Sequence, residues 1–158
     1  MKVRAGIDLG GTKIQAVLCD DLDRVLGEHR RPTPTTGGPP DVAAAIVDAV
    51  QQAAAAAGLG TDDIAALGVG APGQIDVAAG TVSQAGNLPD WMGVYPLGPA
   101  LTDALGVPVV LGNDVQVAVL AEMELGAGRD YGSFLGVFCG TGVGGGVVID
   151  GRLWRGRG

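Results

Sequence analysis

One short pattern of strands and turns occurs twice in this chain, and it constrains the fold more than any other feature. Near the start, Lys2–Leu9 reads as an alternating apolar strand ended by Gly10-Gly11, Lys13–Cys19 as a second strand, and Arg24–Arg31 as a third after the Asp20-Asp21-Leu22-Asp23 turn. Near the end, Tyr131–Cys139, the Gly140-Thr141-Gly142 turn, Val143–Ile149, Asp150-Gly151 and Arg152–Trp154 repeat that order. Three consecutive strands joined by tight turns form an antiparallel meander. Two such meanders imply two related lobes, the second barely begun.

Between them, the Pro- and Gly-rich stretch Pro32–Pro40 stops extended pairing, and Asp41 caps a helix running to about Ala57 and closed by Gly58. Val42, Ile46 and Val50 lie four apart on one face of that helix. Ile64–Gly70 and Val107–Leu111 read as strands buried by helices, Pro99–Leu105 as a short helix and Asp114–Leu125 as a longer one. The irregular excursion after Ala71, through Trp91, is long enough to be a functional loop. The expected order is βββαβαβα, an α/β mixed sheet with flanking helices, with a first lobe over 1–126 and the start of a second over 127–158. Two or three strands past Ala127 cannot bury two faces unaided. They are expected to borrow a surface from the first lobe or from another copy, by dimerisation or strand exchange through 131–154.

Composition narrows the function. The chain has 158 residues, 47 % of them hydrophobic, with 10 basic against 17 acidic side chains and a net charge of −7. That excess of acid argues against a general nucleic-acid surface, whose affinity depends on basic residues neutralising phosphates. No apolar run approaches a membrane span and the start lacks a secretory apolar region, so a soluble, cytoplasmic protein without a membrane partner is expected. Cys19 and Cys139 read as buried free thiols, the single His29 as solvent-facing, and no residue group has metal-ligand spacing.

Glycine supplies 29 of the residues. Asp8-Leu9-Gly10-Gly11-Thr12-Lys13 falls at a strand turn, where glycines let successive amides face an oxyanion, Thr12 adds a hydroxyl and Asp8 orients a hydrated Mg²⁺. An ordinary hairpin with a polar rim is the competing reading. The spacing fits neither a P-loop nor a dinucleotide fingerprint. Gly140-Thr141-Gly142-Val143-Gly144-Gly145-Gly146 is its counterpart, read as a second phosphate clamp or as a loosely packed, bulged hairpin.

Asn113 and Asp114 leave a strand and enter a helix, a position where parallel sheets often place ligand groups. There Asp114 suits a general base for a sugar hydroxyl and Asn113 a hydrogen-bonding partner, while helix capping is the structural alternative. Asn87 and Asp90 beside Trp91 suit a polyol, or else surface turn chemistry with Trp91 as an anchor. Glu122 reads as a rim charge.

These segments resemble the amino-terminal half of the ROK family of repressors and sugar kinases, bacterial glucokinases above all. Asp8–Lys13 is similar to the family's first phosphate loop and Gly70-Ala71-Pro72-Gly73 to its turn near substrate. Asn87-Leu88-Pro89-Asp90-Trp91 is similar to its sugar loop, Asn113-Asp114 to its sugar-binding pair, and Gly140–Gly146 to the glycine-rich phosphate segment of its second lobe. The resemblance implies an actin/hexokinase-like, ribonuclease-H-like fold and ATP-dependent phosphorylation of a hexose, most simply glucose at its 6-hydroxyl. It assigns catalysis to Asp114 and sugar binding to Asn87, Asp90, Asn113, Asp114, Pro72 and Gly73. ATP and Mg²⁺ fall to Asp8, Gly10, Gly11, Thr12, Lys13, Gly140, Thr141, Gly142 and Gly144, with Asp8 holding the metal through water. Gln116 stands where the family usually has Asn, and Gly156-Arg157-Gly158 stops short of the family's cysteine-rich zinc site. The 158 residues alone are therefore expected to be inactive or very weak. A noncatalytic sugar-binding or sugar-responsive regulator, and an assembly module pairing through its second lobe, are the alternatives. Which hexose is used, and whether ATP or polyphosphate is the donor, stays open.

Overall fold

A computed structural model describes residues 2–140 and 142–155. Two compact units divide the chain, residues 1–112 and 113–158.

In the first unit, β1 (Val3–Leu9), β2 (Lys13–Cys19) and β3 (Val25–Pro32) form the expected antiparallel meander. Strict alternation drives it. Val3, Ala5, Ile7 and Leu9 of β1, with Ile14, Ala16 and Leu18 of β2, all point to one buried face. Helix α1 (Gly38–Ala56) covers that face with Val42, Ile46, Ala49, Val50 and Ala53. The helix and β3 are in close contact, since a Cβ on Gly27 would come within 2.4 Å of the Ala53 carbonyl oxygen. Strand β4 (Ile64–Ala71), entered from a 3₁₀ turn at Thr61–Asp63, pairs parallel with β1. With β7 (Val109–Asn113) it completes a five-stranded mixed sheet in the order β3-β2-β1-β4-β7.

Several expectations are corrected here. The helix begins at Gly38 rather than Asp41. Gly37, with φ of 85°, occupies the cap position, and the prolines fall in the first turn, where a missing N–H costs nothing. The excursion after Ala71 is partly regular: β5 (Gln74–Asp76) and β6 (Thr81–Ser83) form a hairpin. Three-residue strands carry too little alternation to register in the sequence. Helix α2 spans Leu97–Leu105, two residues earlier than expected. Strands β4 and β7 are not buried on both faces, because Ala65 and Gly68 are exposed and Val110 is 59 % exposed.

In the second unit, β8 (Phe134–Cys139), β9 (Val143–Ile149) and β10 (Arg152–Trp154) form another antiparallel meander. Helix α3 (Asp114–Glu124) covers one face. It lies so close that a Cβ on Gly144 would come 2.8 Å from Val115, and one on Gly136 2.7 Å from Val119. This contact groups α3 with the strands that follow, so the compact units meet at 112/113, earlier than the 126/127 boundary read from the sequence. On the other face Leu135, Val137, Val143 and Trp154 are exposed. Cys19 and Cys139 are free thiols, but Cys19 is only half-buried and Cys139 is exposed rather than buried because it ends β8 on that open face. Among the described residues, no helix is long and apolar enough to cross a membrane.

Candidate functional site

In the first unit, the turn between β1 and β2 is closed by the Gly10 amide, which donates to the Lys13 carbonyl at 2.9 Å. That amide is consequently committed to the turn. Among the described residues the Gly11 and Thr12 amides make no hydrogen bond, which leaves two adjacent donors for an anion. Asp8 and Thr12 are exposed, and Lys13 Nζ lies 3.8 Å from the Asp8 carboxylate. The sequence did not single out Thr33, which is buried and fixes this turn from below. Its hydroxyl donates to the Gly10 carbonyl at 2.6 Å and its amide to the Thr12 carbonyl at 3.1 Å. The β2–β3 register, Lys13 opposite Pro32, carries Thr33 there.

The loop of Asn87 and Asp90 meets the same turn. A Cβ on Gly11 would come 2.6 Å from the Asn87 carbonyl oxygen and 3.3 Å from its Cβ, so only glycine lets the two segments touch. Asp90, with φ of 47°, lies beside the start of α1, where a Cβ on Gly38 would come 3.6 Å from its own. Trp91 is the anchor, not a sugar platform. It is only 7 % exposed, donates from its indole nitrogen to the Val82 carbonyl at 3.2 Å, and meets Tyr95 edge to face. Pro72 is buried, while Gly73 has φ of 87° and abuts the Ser83 carbonyl. The first unit thus brings Asp8, Gly10, Gly11, Thr12, Lys13 and Asn87 into one neighbourhood.

The second unit holds the other candidates. The side chain of Asn113 accepts from the Gln116 amide at 3.3 Å and so caps α3. Asp114, half-buried, accepts from the Val115 amide through Oδ1 at 2.9 Å, and among the described residues its other oxygen makes no hydrogen bond. Capping at the start of α3 thus leaves one Asp114 oxygen open. Val115, next in sequence, packs on Gly144, which places the start of α3 over the start of β9. Gly144 and Gly146 are glycines because α3 needs the room, a reason the sequence did not reveal. Gly140 and Gly142 differ, since a Cβ on either would meet nothing within 4 Å. Thr141 lies outside the described residues. Glu122 is a tether, accepting from the Ala127 amide at 2.9 Å.

A Mg²⁺ bound mainly by phosphate and water asks little of the protein, and one exposed carboxylate such as Asp8 fits that demand. The described residues contain no cluster of three or more His, Cys, Asp or Glu that would hold a metal on its own.

The model of the ROK family matches residues 4–158. The chain belongs to the ROK family. It is 38 % identical over 157 residues to the glucokinase of Streptomyces coelicolor, covering 99 % of this chain and 47 % of that protein. The crystal structure of a ROK hexokinase from Thermus thermophilus superposes with a TM-score of 0.83 at 40 % identity, covering 98 % of this chain and 49 % of that one. A ROK family glucokinase from Streptomyces griseus, in complex with glucose and AMPPNP, gives a TM-score of 0.86 at 37 % identity over 98 % of this chain and 47 % of that one. ROK relatives with other substrates are similar too: an N-acetyl-D-glucosamine kinase of Salmonella arizonae is 37 % identical over 152 residues, covering 96 % of this chain and 48 % of that protein. An inorganic polyphosphate/ATP-glucomannokinase of Arthrobacter is 32 % identical with a TM-score of 0.74, covering 97 % of this chain and 60 % of that one. The chain spans about half the length of the curated relatives it matches.

Proposed function

We propose that a protein carrying this chain phosphorylates a hexose, with glucose at its 6-hydroxyl the first candidate and Mg-ATP the donor. The observation that carries this reading is the state of Asp114. One carboxylate oxygen accepts from the Val115 amide and the other is left to accept a proton, at the start of a helix whose Val115 packs on Gly144. In this role Asp114 takes the proton of the sugar hydroxyl as that oxygen attacks phosphorus. Asn113, Asn87, Asp90, Pro72 and Gly73 orient the sugar. The Gly11 and Thr12 amides, held by Thr33 and flanked by Gly10, Lys13 and Asp8, receive phosphate oxygens, as do Gly140, Thr141, Gly142 and Gly144. Bound Mg²⁺ offsets phosphate charge, and Asp8 holds it through water.

Glucose and N-acetylglucosamine are both supported as substrates by the relatives' names, and the residues proposed for the sugar do not separate them. Calorimetric titration with glucose, N-acetylglucosamine and Mg-ATP tests the assignment. The expected result is hexose binding that survives Asp114→Asn within a few-fold, with Mg-ATP binding weakened by Thr12→Ala. Absence of hexose binding in a folded protein at the full length of the relatives contradicts it. The 158 residues alone are expected to show little turnover, because phosphoryl transfer depends on every reacting group being positioned at once.

A further inference from the structure

We propose that Val119 is a positioning residue for Asp114, seated in a socket made by the cross-strand pair Gly136 and Gly146. The proposal rests on the reading of Asp114 as the base and names what sets the place of that carboxylate. Val119 is fully buried, and it is the one buried residue of α3. Gly136 of β8 and Gly146 of β9 are register partners, so they lie side by side under the helix. A Cβ on Gly136 would come 2.7 Å from Val119 Cγ2, and one on Gly146 3.0 Å from the same atom. One turn nearer the start of the helix, Val115 meets Gly144 in the same way, at 2.8 Å. Asp114 directly precedes Val115.

Glycine weakens a strand interior, and three glycines under one helix mark a close approach of backbone. Because a single side chain of α3 is buried, this socket sets how deep the helix lies on the strands and where it stops along its axis. Valine in a helix holds one strongly preferred χ1, so Val119 cannot swing away from an added methyl. Carbon contacts are ordinarily about 3.5–4.0 Å, so a methyl at position 136 stands roughly 1 Å too close and the helix yields. Asp114 lies five residues from Val119, about 7.5 Å along the axis, and moves with the helix. A displacement of about 1 Å at reacting groups costs on the order of 10²-fold in rate. The geometry also supplies a repair. With the Val119 methyls removed, the nearest atoms to a Cβ at position 136 are the Cβ of residue 119 and Phe138 Cε2, both at 3.6 Å, an ordinary contact.

The test is phosphoryl transfer from Mg-ATP to glucose in the protein at the full length of the relatives, well below the melting temperature of each variant, so that kcat refers to folded molecules. Gly136→Ala is expected to lower kcat by at least about tenfold, with KM for glucose within about threefold of the parent. Adding Val119→Ala should bring kcat back to within about threefold, a recovery that two independent losses would not give. In the Asp114→Asn background Gly136→Ala should cost less than about a further twofold, because the group it displaces is already absent. Parental kcat in Gly136→Ala, no recovery in the double variant, or an equal loss in the Asp114→Asn background overturns the proposal, and the base assignment still stands where Asp114→Asn alone is defective. Asp114→Asn with the kcat of the parent overturns both. Should Gly136→Ala not fold, Val119→Ala and the double variant carry the test: a loss in the first that the second recovers upholds the proposal, and parental kcat in the first overturns it.

Discussion

Gly11 and Asn87 are in backbone contact, with the Asn87 carbonyl oxygen 2.6 Å from where a Gly11 Cβ would stand. A residue assigned to phosphate and a residue assigned to sugar are thereby locked together, although 76 positions separate them in sequence.

Gly11→Ala is expected to disturb both roles at once. The clash is with backbone, which cannot rotate away as a side chain can, so a stability loss of about 1–3 kcal/mol is expected from overpacking. Urea denaturation measures that loss, and titration with glucose should show weaker sugar binding although Gly11 itself has no side chain to bind sugar.

Thr33→Val keeps the shape of a buried side chain and removes the hydroxyl that donates to Gly10. The expected cost is about 1–3 kcal/mol, because the Gly10 carbonyl loses a buried partner. Nucleotide affinity should fall with it, since Thr33 holds the turn; an unchanged affinity would show that the turn keeps its shape without that bond.

The glycines of β9 and of the turn before it separate by mutation. Gly144→Ala meets Val115 and should destabilise the fold by about 1–3 kcal/mol. Gly140→Ala meets nothing within 4 Å and should leave the melting temperature unchanged while weakening Mg-ATP binding.

Much of this was legible beforehand, for reasons specific to each element. The alternation in β1 and β2 and the four-residue spacing of Val42, Ile46 and Val50 are strong periodic signals, and those elements form, with α1 starting three residues before the expected Asp41. The β5–β6 hairpin is too short to show a period. The start of α1 was hidden because glycine and proline usually break helices, yet proline suits a first turn. Among the candidate residues, Gly10 and Gly11 of the first unit and Asn113-Asp114 of the second stand out by residue type. Thr33 did not, because its importance comes from strand register, and neither did the packing role of Gly144, which depends on a helix thirty residues earlier.

The Asp20 turn gives a pH prediction. Asp20 is buried, and its carboxylate accepts from the Arg24 side chain at 2.7 Å and from the amides of Arg24 and Leu22 at 3.0 and 2.9 Å. Chiefly the Arg24 side-chain bond, then the amides, hold its carboxyl below the ordinary aspartate range. A depressed carboxyl stabilises the fold above its unfolded pKa, about 3.9, and that contribution is lost as pH falls through the folded value. Asp20→Asn should therefore be less stable than the parent at pH 7, with the gap shrinking below about pH 4 in thermal denaturation. A gap that is constant with pH would assign the effect to geometry rather than charge.

Asp114 is proposed as the base of a hexose kinase. Phosphoryl transfer from Mg-ATP to glucose, compared between the parent and Asp114→Asn in the protein at the full length of its relatives, tests it most directly. The expected kcat is lower by about 10²–10⁴-fold, with glucose affinity nearly unchanged. A variant that keeps the parent's kcat contradicts it.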